Sequence, residues 1–199
     1  MKILNLYACL GGNRYKWTDC QVTAVEIDPL LCELYQERFP DDKVFCGDAH
    51  KYLLDHFQEF DFIWSSPPCP SHSRARFVNA NAKPIFPDLK LYEEIIFLEN
   101  YFDGKYCVEN VIPYYDPLIP GNKRGRHYFW TNFPIPFNLG ERIKPFEIEY
   151  MKISDWNVFH EYDFKKYKGG RLDKIARNLV DFEVGKNILN VARQKKELF

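Results

Sequence analysis

Short apolar runs separated by polar loops set the plan of the chain. Ile3 to Ala8 is largely apolar, the pattern of a strand buried on both faces, and it empties into the glycine turn Cys9-Leu10-Gly11-Gly12-Asn13. Such a turn would let a ligand approach the backbone. Val22 to Glu26 is a second strand ending in an acid, at about the distance expected for the ribose-binding carboxylate of a nucleotide fold. Asp28 then caps a helix with Pro29 in its first turn; Leu30, Leu31, Leu34, Tyr35 and Phe39 form its apolar face, and Pro40 stops it. Val44-Phe45-Cys46 runs into Gly47-Asp48, and Phe60 to Trp64 runs into Ser65-Ser66-Pro67-Pro68-Cys69-Pro70-Ser71-His72-Ser73. Strands that alternate with helical patterns predict a right-handed parallel βαβ sheet, an α/β fold of Rossmann-like type. Ligands in such a sheet bind where the strands end, and these ends carry Gly11-Gly12, Glu26, Asp48 and Cys69.

The pattern continues with a helix from about Asp88 to Tyr101, then Tyr106-Cys107-Val108 leading into Glu109-Asn110-Val111. Glu109 is read as a carboxylate at the end of a fifth strand. Lys123 to Trp130 alternates basic and aromatic residues, as one strand with Arg124 and Arg126 on a shared face would. From Thr131 to about Gly170 no period is visible beyond a short strand such as Phe146 to Met151. The tail, Leu172 to Ala192, is helical in two pieces split near Gly185.

Within this plan the prolines around Cys69 restrict the backbone to extended and turn conformations, so the sulfur would point in a fixed direction. That suits a nucleophile; it also suits a loop that merely contains a small apolar residue. The polar, basic stretch from Arg74 to Asn81 reads either as a lid over a substrate or as an ordinary surface loop.

With 199 residues and 46% hydrophobic content the chain can bury one good core, as a single compact domain. Its aromatic share of 17% suits surfaces for planar ligands. Six scattered cysteines without C-x-x-C pairs predict reduced thiols and a cytoplasmic setting. Cys69 and His72 lack a second ligand pair, so no metal is expected. Met1-Lys2 leads directly into the first strand, no apolar run reaches membrane length, and neither a leader nor a membrane partner is expected. A net charge of −1 gives no global positive field, which leaves nucleic-acid binding to local patches: Lys123-Arg124-Gly125-Arg126, and Lys165-Lys166 with Lys168 and Arg171. Lys195-Lys196 reads as a solvated face.

The loops together resemble the DNA cytosine-5 methyltransferases. Asn5-Leu6-Tyr7-Ala8-Cys9-Leu10-Gly11-Gly12 is similar to that family's first motif, Pro67-Pro68-Cys69 to its nucleophile motif, Glu109-Asn110-Val111 to its ENV motif, and Asn122-Lys123-Arg124-Gly125-Arg126 to its Q-x-R-x-R motif. The resemblance covers about Ile3 to Tyr128. It implies an S-adenosylmethionine-dependent enzyme that methylates carbon 5 of a cytosine flipped out of DNA, through a covalent bond from Cys69 to carbon 6. Tyr7, Ala8, Leu10, Gly11, Gly12, Glu26, Ile27, Asp48, Pro68 and Leu91 would bind the cofactor. Cys69, Glu109, Arg124 and Arg126 would be catalytic, and Pro67, Ser71, Ser73, Asn110 and Val111 would face the substrate.

The chain also departs from the pattern. Cys9 stands for a glycine, Pro70 for a glutamine and Asn122 for a glutamine, and Val184-Gly185-Lys186-Asn187 matches the closing motif loosely. Residues 1–130 would form the catalytic core, 131–170 a much reduced recognition region, and 171–199 helices returning to the core, as in compact forms carried by phages or mobile elements. Such a short recognition region leaves three further expectations: single-stranded nucleic acid or a free nucleotide as acceptor, a non-catalytic cofactor-binding subunit, and a separate recognition subunit or homodimer as partner.

Overall fold

The computed structural model describes residues 1–74, 85–143 and 148–194. Its centre is a seven-stranded sheet among the described residues, built from β1 (Lys2–Leu6), β2 (Gln21–Glu26), β3 (Lys43–Cys46), β4 (Phe62–Ser65), β5 (Lys105–Val111), β6 (Asn122–Arg124) and β7 (His127–Thr131), in the order β3-β2-β1-β4-β5-β7-β6. The first five run parallel, and β7 is antiparallel to both β5 and β6. This is a Rossmann-like α/β fold, with a mostly parallel sheet flanked by helices. From β1 the chain steps outward to β2 and β3, then returns to lay β4 and β5 on the other side. The direction therefore switches between β1 and β4, which opens a crevice at their carboxyl ends.

Alternation along the strands explains how both faces are covered. Ile3, Phe62 and Trp64 point to one side, where helix α6 (Phe182–Arg193) supplies Val184, Ile188, Leu189 and Ala192. Leu4, Leu6 and Ile63 point to the other, against α2 (Ala49–His56) and α3 (Lys90–Tyr101), with Leu53, Leu91, Ile95 and Leu98 buried. Helix α1 (Pro29–Arg38) begins as its sequence predicts, with the Asp28 side chain accepting from Leu30 N at 2.9 Å.

Several expectations change. β1 ends at Leu6, because Tyr7 and Cys9 turn left-handed at φ 56° and 48°. β5 continues through Glu109 to Val111, so Glu109 lies within a strand whose far edge is paired by β7. Lys123 to Trp130 is a hairpin, not one strand: Gly125 at φ +49° reverses the chain between β6 and β7, and Arg124 and Arg126 do not share a strand face. Ile148–Tyr150 is a 3-10 turn where a strand was expected; Phe146, the lid residues Ala75 to Asn81 and Lys195-Lys196 lie outside the described residues. The region after Gly140 also contains α4 (Ile153–His160), whose Trp156 is buried with Phe164 and Tyr167 against Leu10, Leu31 and Leu34. These residues pack on α1 and the loop after β1. No helix among the described residues is long and apolar enough to cross a membrane.

The tail splits at Leu179 to Asp181, between α5 (Leu172–Asn178) and α6, and Gly185 sits inside α6. A glycine there permits close approach: a Cβ on Gly185 would lie 2.7 Å from Asn13 Cα. Gly185→Ala weighs a helix-propensity gain of about 1 kcal/mol against overpacking on backbone of about 1–3 kcal/mol. Overpacking should win, because the atoms it meets are main chain. A melting temperature lowered by roughly 3–8 °C is expected by calorimetry, and an unchanged or raised value would contradict the contact.

Candidate active site

Two loops leave the switch point, one after β1 and one after β4. The first is held in its left-handed conformation, worth about 1–2 kcal/mol of strain per residue, by specific bonds. Ala8 N donates to Val25 O at 3.0 Å, Cys9 N to Glu26 Oε2 at 2.9 Å and Gly11 N to Ala8 O at 2.8 Å. Glu26 Oε1 accepts from Ile27 N at 2.8 Å and Asp28 N at 3.1 Å, so one carboxylate ties the ends of β1 and β2 together. The glycines serve packing: a Cβ on Gly11 would lie 2.8 Å from Tyr35, and one on Gly12 would lie 2.6 Å from Val180 O. Protein atoms therefore fill the space expected to admit a ligand beside them.

The crevice itself holds a pocket of about 190 Å³. Of the residues expected to bind the cofactor, Tyr7, Ile27, Asp48, Pro68 and Leu91 line it, joined by Pro67; Ala8, Leu10, Gly11, Gly12 and Glu26 stand outside its lining. Ile27 is 70% exposed, an apolar side chain presented by the loop after a buried strand. Apolar walls from Ile27, Pro68 and Leu91 with the carboxylate of Asp48 at the edge fit an adenosyl group, a flat ring with polar margins. Asp48 also caps α2, accepting from Lys51 N at 3.0 Å, and this bond holds its carboxyl below the usual range.

Sequence reasoning missed the group behind this pocket. Glu94, fully buried on α3, accepts from Tyr7 Oη at 2.6 Å and Ser65 Oγ at 2.6 Å, and lies 3.1 Å from His50 Nδ1. Tyr7 follows β1, Ser65 ends β4 and His50 lines the pocket from α2, so one carboxylate fastens three elements. The bond to Glu94 pushes the His50 imidazole up from its ordinary value. The signal was present as an acid on the apolar face of a predicted helix, spaced i, i+3 from Leu91.

The second loop presents Cys69. His72 N and Ser73 N both donate to Cys69 O at 3.0 Å, Asn110 Nδ2 donates to Pro67 O at 2.9 Å, and Ser71 Oγ accepts from Asp88 N at 3.0 Å. Ser73 pairs with Pro113 across a bridge, and Val111 N donates to Asn110 Oδ1 at 2.9 Å. Ser71 and Asn110 thus fasten the loop by these bonds. Burial, with the Glu109 charge adding to it, pushes the Cys69 thiol up. Glu109 is buried, and desolvation raises its carboxyl to about 7 although Ser66 and Arg126 pull it down. His127 Nε2 lies 3.4 Å from Glu109 Oε1, and burial pushes that imidazole down to about 3, so it is neutral.

The two arginines part company. Among the described residues, the Arg126 guanidinium makes no hydrogen bond or ion pair, although it is mostly buried and faces Glu109 and Glu141. Arg124 instead donates to the carbonyls of Pro136 at 2.8 Å and Lys123 at 2.9 Å, and packs over the exposed ring of Phe137. Cys69, Glu109 and Arg126 therefore come together, and Arg124 is engaged on the outside of the hairpin. A direct check on the buried network is the His50 titration: in Glu94→Gln the imidazole loses the charge that raises it, so it should titrate lower than in the wild type by NMR. An unmoved titration would refute the pairing.

The family model described as C-5 cytosine-specific DNA methylase matches residues 1–96. No curated protein matches the chain. Among solved structures, DNMT2 of Spodoptera frugiperda is 26% identical over 55% of this chain and 35% of that one, with a TM-score of 0.38. The Entamoeba histolytica methyltransferase EhMeth is 14% identical over 56% and 38%, with a TM-score of 0.37. A hypothetical protein of Thermus thermophilus is 16% identical over 65% and 73%, with a TM-score of 0.47. The alignments thus span little more than a third of the length of DNMT2 and EhMeth. Residues 1–96, which carry the loop after β1, the pocket walls and Cys69, are thus the part of the chain that is similar to the C-5 cytosine-specific DNA methylase family.

Proposed function

We propose that the protein is an S-adenosylmethionine-dependent DNA cytosine-5 methyltransferase that works through a covalent bond between Cys69 Sγ and carbon 6 of the base. The observation that carries the reading is that the loop whose Pro67 and Pro68 line the 190 Å³ pocket carries a constrained thiol within electrostatic reach of a buried carboxyl raised to about 7, which in turn feels a guanidinium without a hydrogen-bonding partner among the described residues. When bound, S-adenosylmethionine supplies an electrophilic methyl group on sulfur. Tyr7, Ile27, Asp48, Pro68 and Leu91 would hold it.

Carbon 5 of cytosine is a poor nucleophile until a thiolate adds to carbon 6. Cys69 makes that bond, and the ring electron pair moves toward N3 and O2. Protonated Glu109 gives its proton to N3 and Arg126 donates to O2, so the charge developing on the ring meets groups already in place. Once carbon 5 carries the methyl group it holds one proton too many: solvent takes that proton, the C–H electron pair restores the 5,6 double bond as Cys69 leaves as thiolate, and N3 returns its proton to Glu109. Pro67 lines the pocket, and Asn110 steadies the Cys69 loop by holding Pro67 O. In a duplex the base must first leave the stack, at a cost of a few kcal/mol. A single-stranded acceptor avoids that cost.

DNA containing 5-fluorocytosine should form a denaturation-resistant adduct with the wild type and none with Cys69→Ala. An adduct that survives the substitution, or none with duplex, single strand or dCMP, would overturn the mechanism. The pH dependence provides a second check. Productive addition needs Glu109 protonated and Cys69 ionised, and the carboxyl titrates near 7, below the thiol. Adduct formation should therefore rise with pH, level off near pH 7 as Glu109 ionises, and fall above the thiol range. Glu109→Gln removes the lower break, so its slower rate should keep rising through pH 7. A break that persists in that variant belongs to another group.

A further inference from the structure

Residues 165–177 form an exposed cationic strip that none of the catalytic chemistry uses. Lys165, Lys166, Lys168, Arg171, Lys174 and Arg177 are all exposed, whereas Phe164, Tyr167 and Ala176 in or beside the same stretch are buried. The anchors fix the strip to the core, and the cations stand in solvent. Arg171, Lys174 and Arg177 follow at intervals of three on or beside α5, which places them along one face. Two of the six are paired, Arg171 with Asp173 at 2.6 Å and Lys166 with Glu37. Lys165, Lys168, Lys174 and Arg177 make no ion pair among the described residues. In a chain of net charge −1 this concentration is local, and it lies at a particular place.

That place is the catalytic edge of the sheet. Phe164, Tyr167 and Ala176 pack with Leu10 in the loop after β1, and Tyr167 Oη donates to Asp28 Oδ2 at 3.2 Å. Directly beyond α5, Leu179 and Val180 close on Gly12. β1 and β4 are parallel neighbours, so this loop and the Cys69 loop leave the same edge. The Lys174 charge is among those that act on the Cys69 thiol, favouring its ionised form.

We propose that this strip is the track for the phosphate backbone of a nucleic-acid acceptor, holding the strand while one of its cytosines reaches Cys69. The assignment rests on the cytosine-methyltransferase reading and adds where the polymer lies. Cations that neutralise phosphates release counterions, so each contact contributes about 0.9 to the slope of log affinity against log salt on duplex DNA.

The test is fluorescence anisotropy with a labelled 20-base-pair cytosine-containing duplex, across a potassium chloride series and with S-adenosylhomocysteine present. A variant carrying Lys165→Gln, Lys168→Gln, Lys174→Gln and Arg177→Gln should lose about 3 to 4 from the slope and bind at least tenfold more weakly at low salt. Lys2→Gln with Lys43→Gln, at the opposite ends of the strands, should leave the slope in place. If the fourfold variant does not fold, each single substitution should remove about 0.9. An unchanged slope, an equal loss per charge in the control, or no duplex binding by the wild type overturns the proposal. Salt-dependent binding that is lost in the variant, with no 5-fluorocytosine adduct in the wild type, removes the catalytic reading and keeps the surface. An adduct with an unchanged slope does the reverse.

Discussion

The parallel pairing of β1 with β4 is the constraint on which the rest of the molecule depends. Because the chain leaves β1 in one direction across the sheet and comes back to β4 in the other, no crossover covers the carboxyl ends of these two strands. Everything with chemical potential collects in the gap. Tyr7 and Glu26 mark the β1 side, and Ser65 to Cys69 mark the β4 side. The added strand β7 then extends this edge, bringing His127 and Arg126 beside Glu109.

Three buried carboxylates around the gap are treated differently, and the difference is a matter of donors. Glu26 receives three backbone N–H groups, and Glu94 receives two hydroxyls beside an imidazole. Donors of this kind offset the cost of burying a carboxyl group. Glu109 has weaker compensation from Ser66 and Arg126, and desolvation lifts it to about 7. The two well-supplied acids fasten loops; the poorly supplied one keeps a proton within reach of neutral pH.

Much of this was legible in the sequence. Apolar runs marked five parallel strands, Asp28 and Pro29 marked the start of α1, and the residues around Cys69, Glu109 and Arg126 stood out by type and order. What stayed hidden depends on contacts between distant residues. Glu94 looks like an acid on an ordinary helix until Tyr7 and Ser65 are brought to it from 87 and 29 residues away. Gly185 reads as a helix breaker, and only the backbone of Asn13 explains why it is tolerated within α6. The hairpin at Gly125 was concealed because alternation of side chains continues on both sides of the turn. Helix α4 has no clear period, since it buries Trp156 and His160 through a narrow contact.

The contact between α6 and the loop after β1 bears on how the crevice forms as the protein is made. Asn13 packs on Gly185, Gly12 on Val180, and Lys16 pairs with Glu183 at 2.8 Å, joining residues far apart in the chain. A ribosome delivers the loop after β1 early and its supports late. Until residues near 185 emerge, the turn that shapes one wall of the crevice lacks the surface it rests on, and closing so long a segment carries its own entropic delay. Emergence of α6 and assembly of the crevice are thereby tied to one event.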